Sequence, residues 1–155
     1  MGTESSDFTR DILRYMTRLE QQRRRYLDEH LREKKLYGSM FMVLLYLEKE
    51  PGASQDDLSA FLGIDKSGVA RICCKLEELI YIRRERSRDD RRRNKLYLEE
   101  SGRDLLPIIR SLLQQWRKTV TVGMDEHDQK ELLRYLGHMM DNALQGNNLM
   151  NGKPV

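Results

Sequence analysis

The stretch over residues 65–98, DKSGVARICCKLEELIYIRRERSRDDRRRNKLYL, constrains this chain more than any other, because two hydrophobic periods meet in it with no linker between them. Val69, Ile72, Cys73, Leu76 and Leu79 recur at three- and four-residue spacings, so one side of a helix is buried, while Ser67, Arg71, Cys74 and Glu78 fall on the free side. Asp65 stands just ahead of the run, where a carboxylate can accept from the unpaired N–H groups of a first turn, and the helix is predicted to start at Lys66. After Leu79 the period changes. Tyr81, Ile82, Arg83 and Arg84 lead into a charged tip, and Lys95, Leu96, Tyr97 and Leu98 alternate as a half-buried strand does, so two short strands are expected around that tip. Upstream, residues 54–62 read as another helix, with Ser54 and Asp57 at capping-box spacing and Gly63 able to leave it in a left-handed conformation.

Helix, short glycine turn, helix and hairpin make the plan of a winged helix-turn-helix. Between Arg83 and Lys95 stand eight basic residues (Arg83, Arg84, Arg86, Arg88, Arg91, Arg92, Arg93, Lys95) against three acids (Glu85, Asp89, Asp90), a net of +5. The whole chain is +3, so everything outside this wing sums to −2. A local cationic loop on a mildly acidic body has a natural counterpart in the phosphate backbone of DNA. A charge run alone is more often a solvated loop; directly after a helix-turn-helix the nucleic-acid reading outweighs that. Lys66, Ser67, Gly68, Arg71 and Lys75 on the helix, with Arg88, Asp90, Arg91, Arg92 and Arg93 on the wing, are the expected DNA-binding residues.

The region resembles the winged helix-turn-helix of the MarR family, the multiple-antibiotic-resistance type of bacterial transcriptional regulator, and the resemblance extends over nearly the whole chain. The family's wing pattern, Asp-x-Arg followed six residues later by Leu and then by Gly, is matched by Asp90, Arg92, Leu98 and Gly102. The resemblance implies that Arg92 enters a minor groove and that Asp90 helps to hold basic side chains in place. The Asp-x-Ser opening of the family's recognition helix is matched by Asp65 and Ser67, and its outward arginine by Arg71. Four positions depart from the pattern in three ways. Gly68 and Ala70 stand where small hydroxyl residues are usual, Cys74 where a polar residue is common, and Ile80 where a Gly often ends the helix. Direct base readout by this helix is therefore expected to be thin.

Elsewhere, residues 7–34 keep near helical spacing through Ile12, Tyr15, Met16, Leu19, Tyr26, Leu27 and Leu31, and residues 40–48 read as a second, largely apolar helix ended by Glu50, Pro51 and Gly52. Beyond the wing, Ser101 and Asp104 have capping-box spacing ahead of a stripe of Leu105, Ile108, Ile109, Leu112, Leu113, Trp116 and Val120, with Pro107 tolerated in the first turns. Asp125 opens a last helix that turns Leu132, Leu133, Leu136, Met139, Met140 and Leu144 inward. Residues 1–6 and the Asn- and Gly-rich tail from Gln145 are expected to be loose. A winged helix alone needs far fewer residues than 155, and the first and last helices suit a twofold dimer interface that sets two recognition helices about 34 Å apart for successive major grooves. The alternative is that they pack within the chain onto the winged helix.

The expected fold is thus mainly α with a small β-hairpin wing. It is one domain over 1–155, with a helical dimerisation region at 7–34 and 101–145, a winged helix-turn-helix at 36–98 and a tail from 146. Hydrophobic content is 39% and charged content 34%, with no run of about eighteen apolar residues and no apolar stretch behind a basic start, so a soluble cytoplasmic protein is expected. His30, His127 and His138 form no metal-ligand register, there is no phosphate loop or nucleophile elbow, and the adjacent Cys73 and Cys74 lack the two-residue gap of a redox pair. No cofactor, metal or enzymatic activity is expected. Cys74, beside Arg71 and Lys75, is the one redox candidate. The family resemblance implies a small aromatic or lipophilic anion as effector, and Tyr15, Arg23, Tyr26, Tyr37, Met42 and Tyr46 could line its crevice.

The reading that follows is a homodimeric, sequence-specific regulator on a palindromic operator, a ligand-responsive repressor. Its rivals are a winged-helix protein-interaction module and a thiol-based redox sensor or enzyme.

Overall fold

The computed structural model describes the backbone of residues 3–86 and 94–150 and the side chains of 7–86 and 94–146. In chain order it contains α1 (Thr3–His30), a 3-10 turn (Arg32–Lys34), α2 (Met40–Lys49), α3 (Gln55–Leu62), α4 (Lys66–Glu78), β1 (Ile82–Arg86), β2 (Asn94–Leu98), α5 (Glu100–Val120) and α6 (Glu126–Met150). This is the helical fold with a hairpin wing that the sequence predicts. Contacts divide it into two compact units, Met1–Trp116 and Arg117–Val155.

The core of the first unit is built around α2, which buries Met40, Phe41, Val43, Leu44 and Leu47. Leu27 of α1, with Leu31 and Leu36 just beyond it, packs into the same cluster, as do Leu58 of α3, Val69, Cys73 and Leu76 of α4, Ile82, Leu96 and Leu98 of the hairpin, and Leu105, Leu106, Ile109 and Leu112 of α5. At roughly 1.5–3 kcal/mol for each large apolar side chain removed from water, the three α4 residues alone fix which face of that helix is left outside.

Local chemistry sets the ends of the elements that carry this face. Ser54 Oγ accepts from the Asp57 N–H at 3.2 Å and Asp57 Oδ2 accepts from the Ser54 N–H at 2.8 Å, the reciprocal cap expected for α3. Gly63 closes α3 at φ +63°, a conformation without steric cost only for glycine. Only Ile64 and Asp65 then separate it from α4. At the other end of α4 the Ile80 N–H donates to the Glu77 carbonyl at 2.9 Å and the Tyr81 N–H to the Leu76 carbonyl at 2.9 Å, the paired bonds of a Schellman cap. The left-handed residue in that cap is Ile80, at φ +59°, a conformation rarely taken by a β-branched side chain. The chain turns here without the glycine that is usual.

β1 and β2 pair antiparallel, from Ile82 opposite Leu98 to Arg86 opposite Asn94. Residues 52 and 53 add a short third edge. The Gly52 N–H donates to the Leu96 carbonyl at 2.8 Å and the Leu96 N–H to the Ala53 carbonyl at 2.9 Å. Residues 87–93, the tip, lie outside the described residues.

Some expectations change. Ser101 does not cap α5; the helix begins at Glu100, and the Ser101 hydroxyl donates to the Ile80 carbonyl instead, because the α4–β1 turn lies against the start of α5. Ile108 and Val120, assigned to the inward stripe, are exposed, and Leu106 is buried in their place. The first helix starts at Thr3 and ends at His30, with the 3-10 turn completing the predicted span to 34. α6 opens on reciprocal bonds between Asp125 and Asp128, as Asp128 N–H to Asp125 Oδ1 at 2.8 Å and Asp125 N–H to Asp128 Oδ2 at 3.2 Å. It then runs to Met150, past Gln145 where a loose tail was expected, since no proline or left-handed residue interrupts its backbone bonds. Leu132, Leu133, Leu136, Met139, Met140 and Leu144, expected to face inward, are all exposed in the single chain. On α1, Phe8, Leu13, Tyr15, Met16 and Leu19 are exposed as well.

Candidate nucleic-acid interface

The outer face of α4 carries Ser67, Arg71, Cys74 and Glu78, all exposed, as the helical spacing predicts. Asp65 is the N-cap residue, with extended backbone, and the helix starts at Lys66. Its carboxylate is engaged mainly by a side chain: the Ser67 hydroxyl donates to Asp65 Oδ2, and Arg71 Nη1 reaches the Ser67 oxygen at 3.5 Å. The Asp65 pKa is lowered, first by the Ser67 hydroxyl, against a desolvation penalty, and further by the Gly68 N–H, the Arg71 charge and the Ser67 N–H. Asp65, Ser67 and Arg71 therefore form one polar row along the exposed edge. Because the single hydroxyl hydrogen of Ser67 is given to Asp65, the group offers a ligand its oxygen lone pairs, while Arg71 offers donors.

The structure corrects one position. Gly68, expected among the exposed residues, is buried: a Cβ built on it would lie 2.6 Å from Ile64 Cγ2 and 2.8 Å from Asp65 Oδ1. The Gly63–Asp65 turn folds Ile64 over the first turn of α4, so a larger residue at 68 would displace both Ile64 and the carboxylate that orients Ser67. Lys66 is exposed and pairs with Asp56 at 2.8 Å, and Lys75 pairs with Glu78 at 2.9 Å, which raises the Lys75 pKa. Such exposed pairs are weak and release a lysine readily to a phosphate.

On the wing, the charge count overstates what is free at the base of the hairpin. Arg84 Nη2 lies 2.8 Å from Glu77 Oε2 on α4, with both side chains only 29% exposed, and so braces β1 against the helix. Arg83 donates to Glu85 at 3.0 Å and to the Leu98 carbonyl at 3.3 Å, with its guanidinium 5.0 Å over the Tyr97 ring. Arg86 and Lys95, nearer the tip, are exposed. Arg88, Asp90, Arg91, Arg92 and Arg93 lie outside the described residues. Glu77 was not singled out from sequence, because its partner sits seven residues away across a change from helix to strand, a spacing without a local signature.

Gly102, which fits the family's wing pattern by position, shows why glycine stands there: a Cβ would lie 2.1 Å from the Tyr81 carbonyl oxygen. The two cysteines separate as expected, Cys73 buried and Cys74 exposed. Burial pushes the Cys73 thiol up to about 11, so Cys73 stays protonated and inert at neutral pH. Of the two cations expected beside Cys74, Lys75 is ion-paired with Glu78.

The six candidate effector residues each make different contacts. Tyr15 and Tyr37 are exposed. Arg23 is held by Glu20 at 2.7 Å and lies 5.4 Å over the Phe41 ring. Tyr46 packs on Phe61 with ring centres 4.5 Å apart, and Met42 lies against the core. Tyr26 donates to Gln115 Oε1 at 3.2 Å and lines an open groove with Gln22, Arg25, Glu29, His30 and Trp116, to which none of the other five contributes. Among the described residues no group of three or more His, Cys, Asp or Glu is disposed to hold a metal ion, and no helix is long and apolar enough to cross a membrane.

A helix-turn-helix with a polar, cationic outer face, followed directly by a two-stranded basic hairpin, defines the class of winged helix-turn-helix proteins. The MarR family model matches residues 38–93. The chain is 31% identical over 99 residues to the HTH-type transcriptional regulator BilQ of Clostridium symbiosum, covering 64% of this chain and 68% of that one. It is 34% identical over 110 residues to the transcriptional repressor MprA of Escherichia coli K12, covering 65% of this chain and 62% of MprA. Among solved structures it superposes on a MarR transcriptional regulator from Methanosarcina mazei with a TM-score of 0.82 and 27% identity, covering 88% of this chain and 98% of that one. The chain belongs to the MarR family.

Proposed function

We propose that this protein is a cytoplasmic, homodimeric transcriptional regulator, a repressor, that binds a palindromic operator. α4 lies in the major groove with Lys66, Ser67, Arg71 and Lys75 toward the DNA, and the wing residues Arg88, Asp90, Arg91, Arg92 and Arg93 serve the flanking minor groove. The observation that carries this reading is the polar row Asp65–Ser67–Arg71, held exposed on α4 by the burial of Val69, Cys73 and Leu76 and set beside a hairpin rich in arginine. The relatives named transcriptional regulator and transcriptional repressor support the same function. The exposed apolar residues of α6 support a dimer, since an isolated chain leaves them in water. Effector binding by Tyr15, Arg23, Tyr26, Tyr37, Met42 and Tyr46 is tested by a screen of phenolic acids for shifted DNA affinity.

The deciding experiment is duplex binding against salt. Affinity should fall steeply as salt rises and should favour a selected palindromic duplex over random sequence by about a thousandfold or more. Arg71→Ala should weaken binding, and Arg92→Ala should weaken it while making the dependence of log Kd on log salt shallower by about one. Salt-independent binding, or equal affinity for selected and random duplexes, would sink the reading in favour of a protein-interaction module.

A further inference from the structure

Several contacts converge on one residue at the foot of the wing. Tyr81 precedes β1 by one position, and its backbone is gripped from both sides: its N–H donates to the Leu76 carbonyl at 2.9 Å and its carbonyl accepts from the Glu99 N–H at 3.0 Å. Gly102 leaves the space that this carbonyl occupies. Those attachments are to the end of α4 and the start of α5, which adjoin the hairpin in the chain. The side chain does something different. The Tyr81 hydroxyl donates to the Lys34 carbonyl at 3.0 Å, reaching back 47 residues to the corner where α1 gives way to α2. That corner is itself stiff: the Lys34 N–H is bonded to the Leu31 carbonyl at 3.0 Å, Lys35 is left-handed at φ +54°, and Leu36 is buried. The acceptor is main chain, so its position is set by the fold and not by a rotamer.

We propose that Tyr81 is a positioning residue for DNA binding: its hydroxyl, by holding the Lys34 carbonyl, fixes the tilt of the wing relative to α4 and to the end of α1. The inference rests on the DNA-binding function proposed above. Leverage makes one hydrogen bond matter. The five residues of β1 extend roughly 16 Å at about 3.3 Å each, so a tilt of about 5° at the foot moves the far end by about 1.4 Å. A displacement of that size takes a basic side chain out of hydrogen-bond range of a phosphate. The apolar packing of the foot does not depend on the hydroxyl, because the Tyr81 ring lies against the core independently of it.

Tyr81→Phe keeps the ring and removes the tie. The test compares full-length wild type, Tyr81→Phe and Arg71→Ala on a duplex of about 30 base pairs selected by the wild type from a random pool, with Kd measured across a salt series and thermal unfolding recorded in parallel. Tyr81→Phe should bind about fivefold more weakly, the order of one lost hydrogen bond, and its salt slope should be shallower by about one because the wing no longer reaches its phosphates. Weaker binding with an unchanged salt slope would mean a structural role only and would overturn the proposal. So would unaltered affinity in Tyr81→Phe while Arg71→Ala binds weakly, an outcome that leaves the DNA-binding reading intact. A wild type that binds no duplex would overturn both.

Discussion

Ile80 is the residue at which this chain accepts a local cost to make a global turn. The left-handed conformation costs an L-residue about 1–2 kcal/mol, and the side chain recovers little of this by burial, being 68% exposed. Glycine removes that cost but brings back about 0.5–1 kcal/mol of backbone entropy on folding. Ile80→Gly should therefore raise stability by about 0.5–1 kcal/mol, read as a higher denaturant midpoint with an unchanged slope; a lower midpoint would show that the Ile80 side chain supports the turn in some other way. Cys73 gives a second prediction at this scale. Its folded pKa of about 11 lies above the ordinary value of 9.0, so between those limits the unfolded chain loses a proton that the folded chain keeps. Stability should be insensitive to this group below pH 9, fall as the pH rises from 9 towards 11, and level off beyond. Set against a Cys73→Ala variant, the wild type should show that additional loss, about 2–3 kcal/mol in all. In the native state at neutral pH a maleimide should label Cys74 and spare Cys73.

At the scale of elements, what could be read in the sequence was what is decided locally. The ends of α3 and the start of α4 were legible because Ser54, Asp57, Gly63 and Asp65 act within one turn of themselves. The helix-to-hairpin switch was legible because the hydrophobic period changes at Leu79. Gly68 misled because its burial comes from Ile64, a side chain folded over from the preceding turn, and no periodicity on α4 contains that contact. Ser101 and Asp104 had the spacing of a cap, yet the hydroxyl was drawn off by the Ile80 carbonyl of another element. The wing's charge was legible as a total but not as a distribution. Arg83 and Arg84 hold the hairpin together through Glu85, Leu98 and Glu77, so the charge at the base of the hairpin is already engaged. The candidate effector residues were grouped by chemistry alone, and individual contacts such as Tyr46 on Phe61, Arg23 over Phe41 and Tyr26 on Gln115 had no signature in their spacing.

For the whole molecule the main feature outside the core is a set of exposed apolar residues on its first and last helices. α6 has six exposed Leu and Met side chains along its described length, and α1 exposes Phe8, Leu13 and Met16. If these belong to a twofold interface, a charge placed within it should dissociate the dimer without unfolding the helix-turn-helix. Leu136→Asp should weaken self-association at least tenfold, about 1.4 kcal/mol, by sedimentation equilibrium, with little change in helical content. A variant that remains a dimer at the wild-type dissociation constant would remove α6 from the interface. If that interface is the twofold one proposed above, the protein would also respond to its own abundance. Where monomers outnumber dimers and the DNA site is far from saturated, its occupancy by a dimer would follow the square of chain concentration, so halving the rate of synthesis would lower occupancy about fourfold.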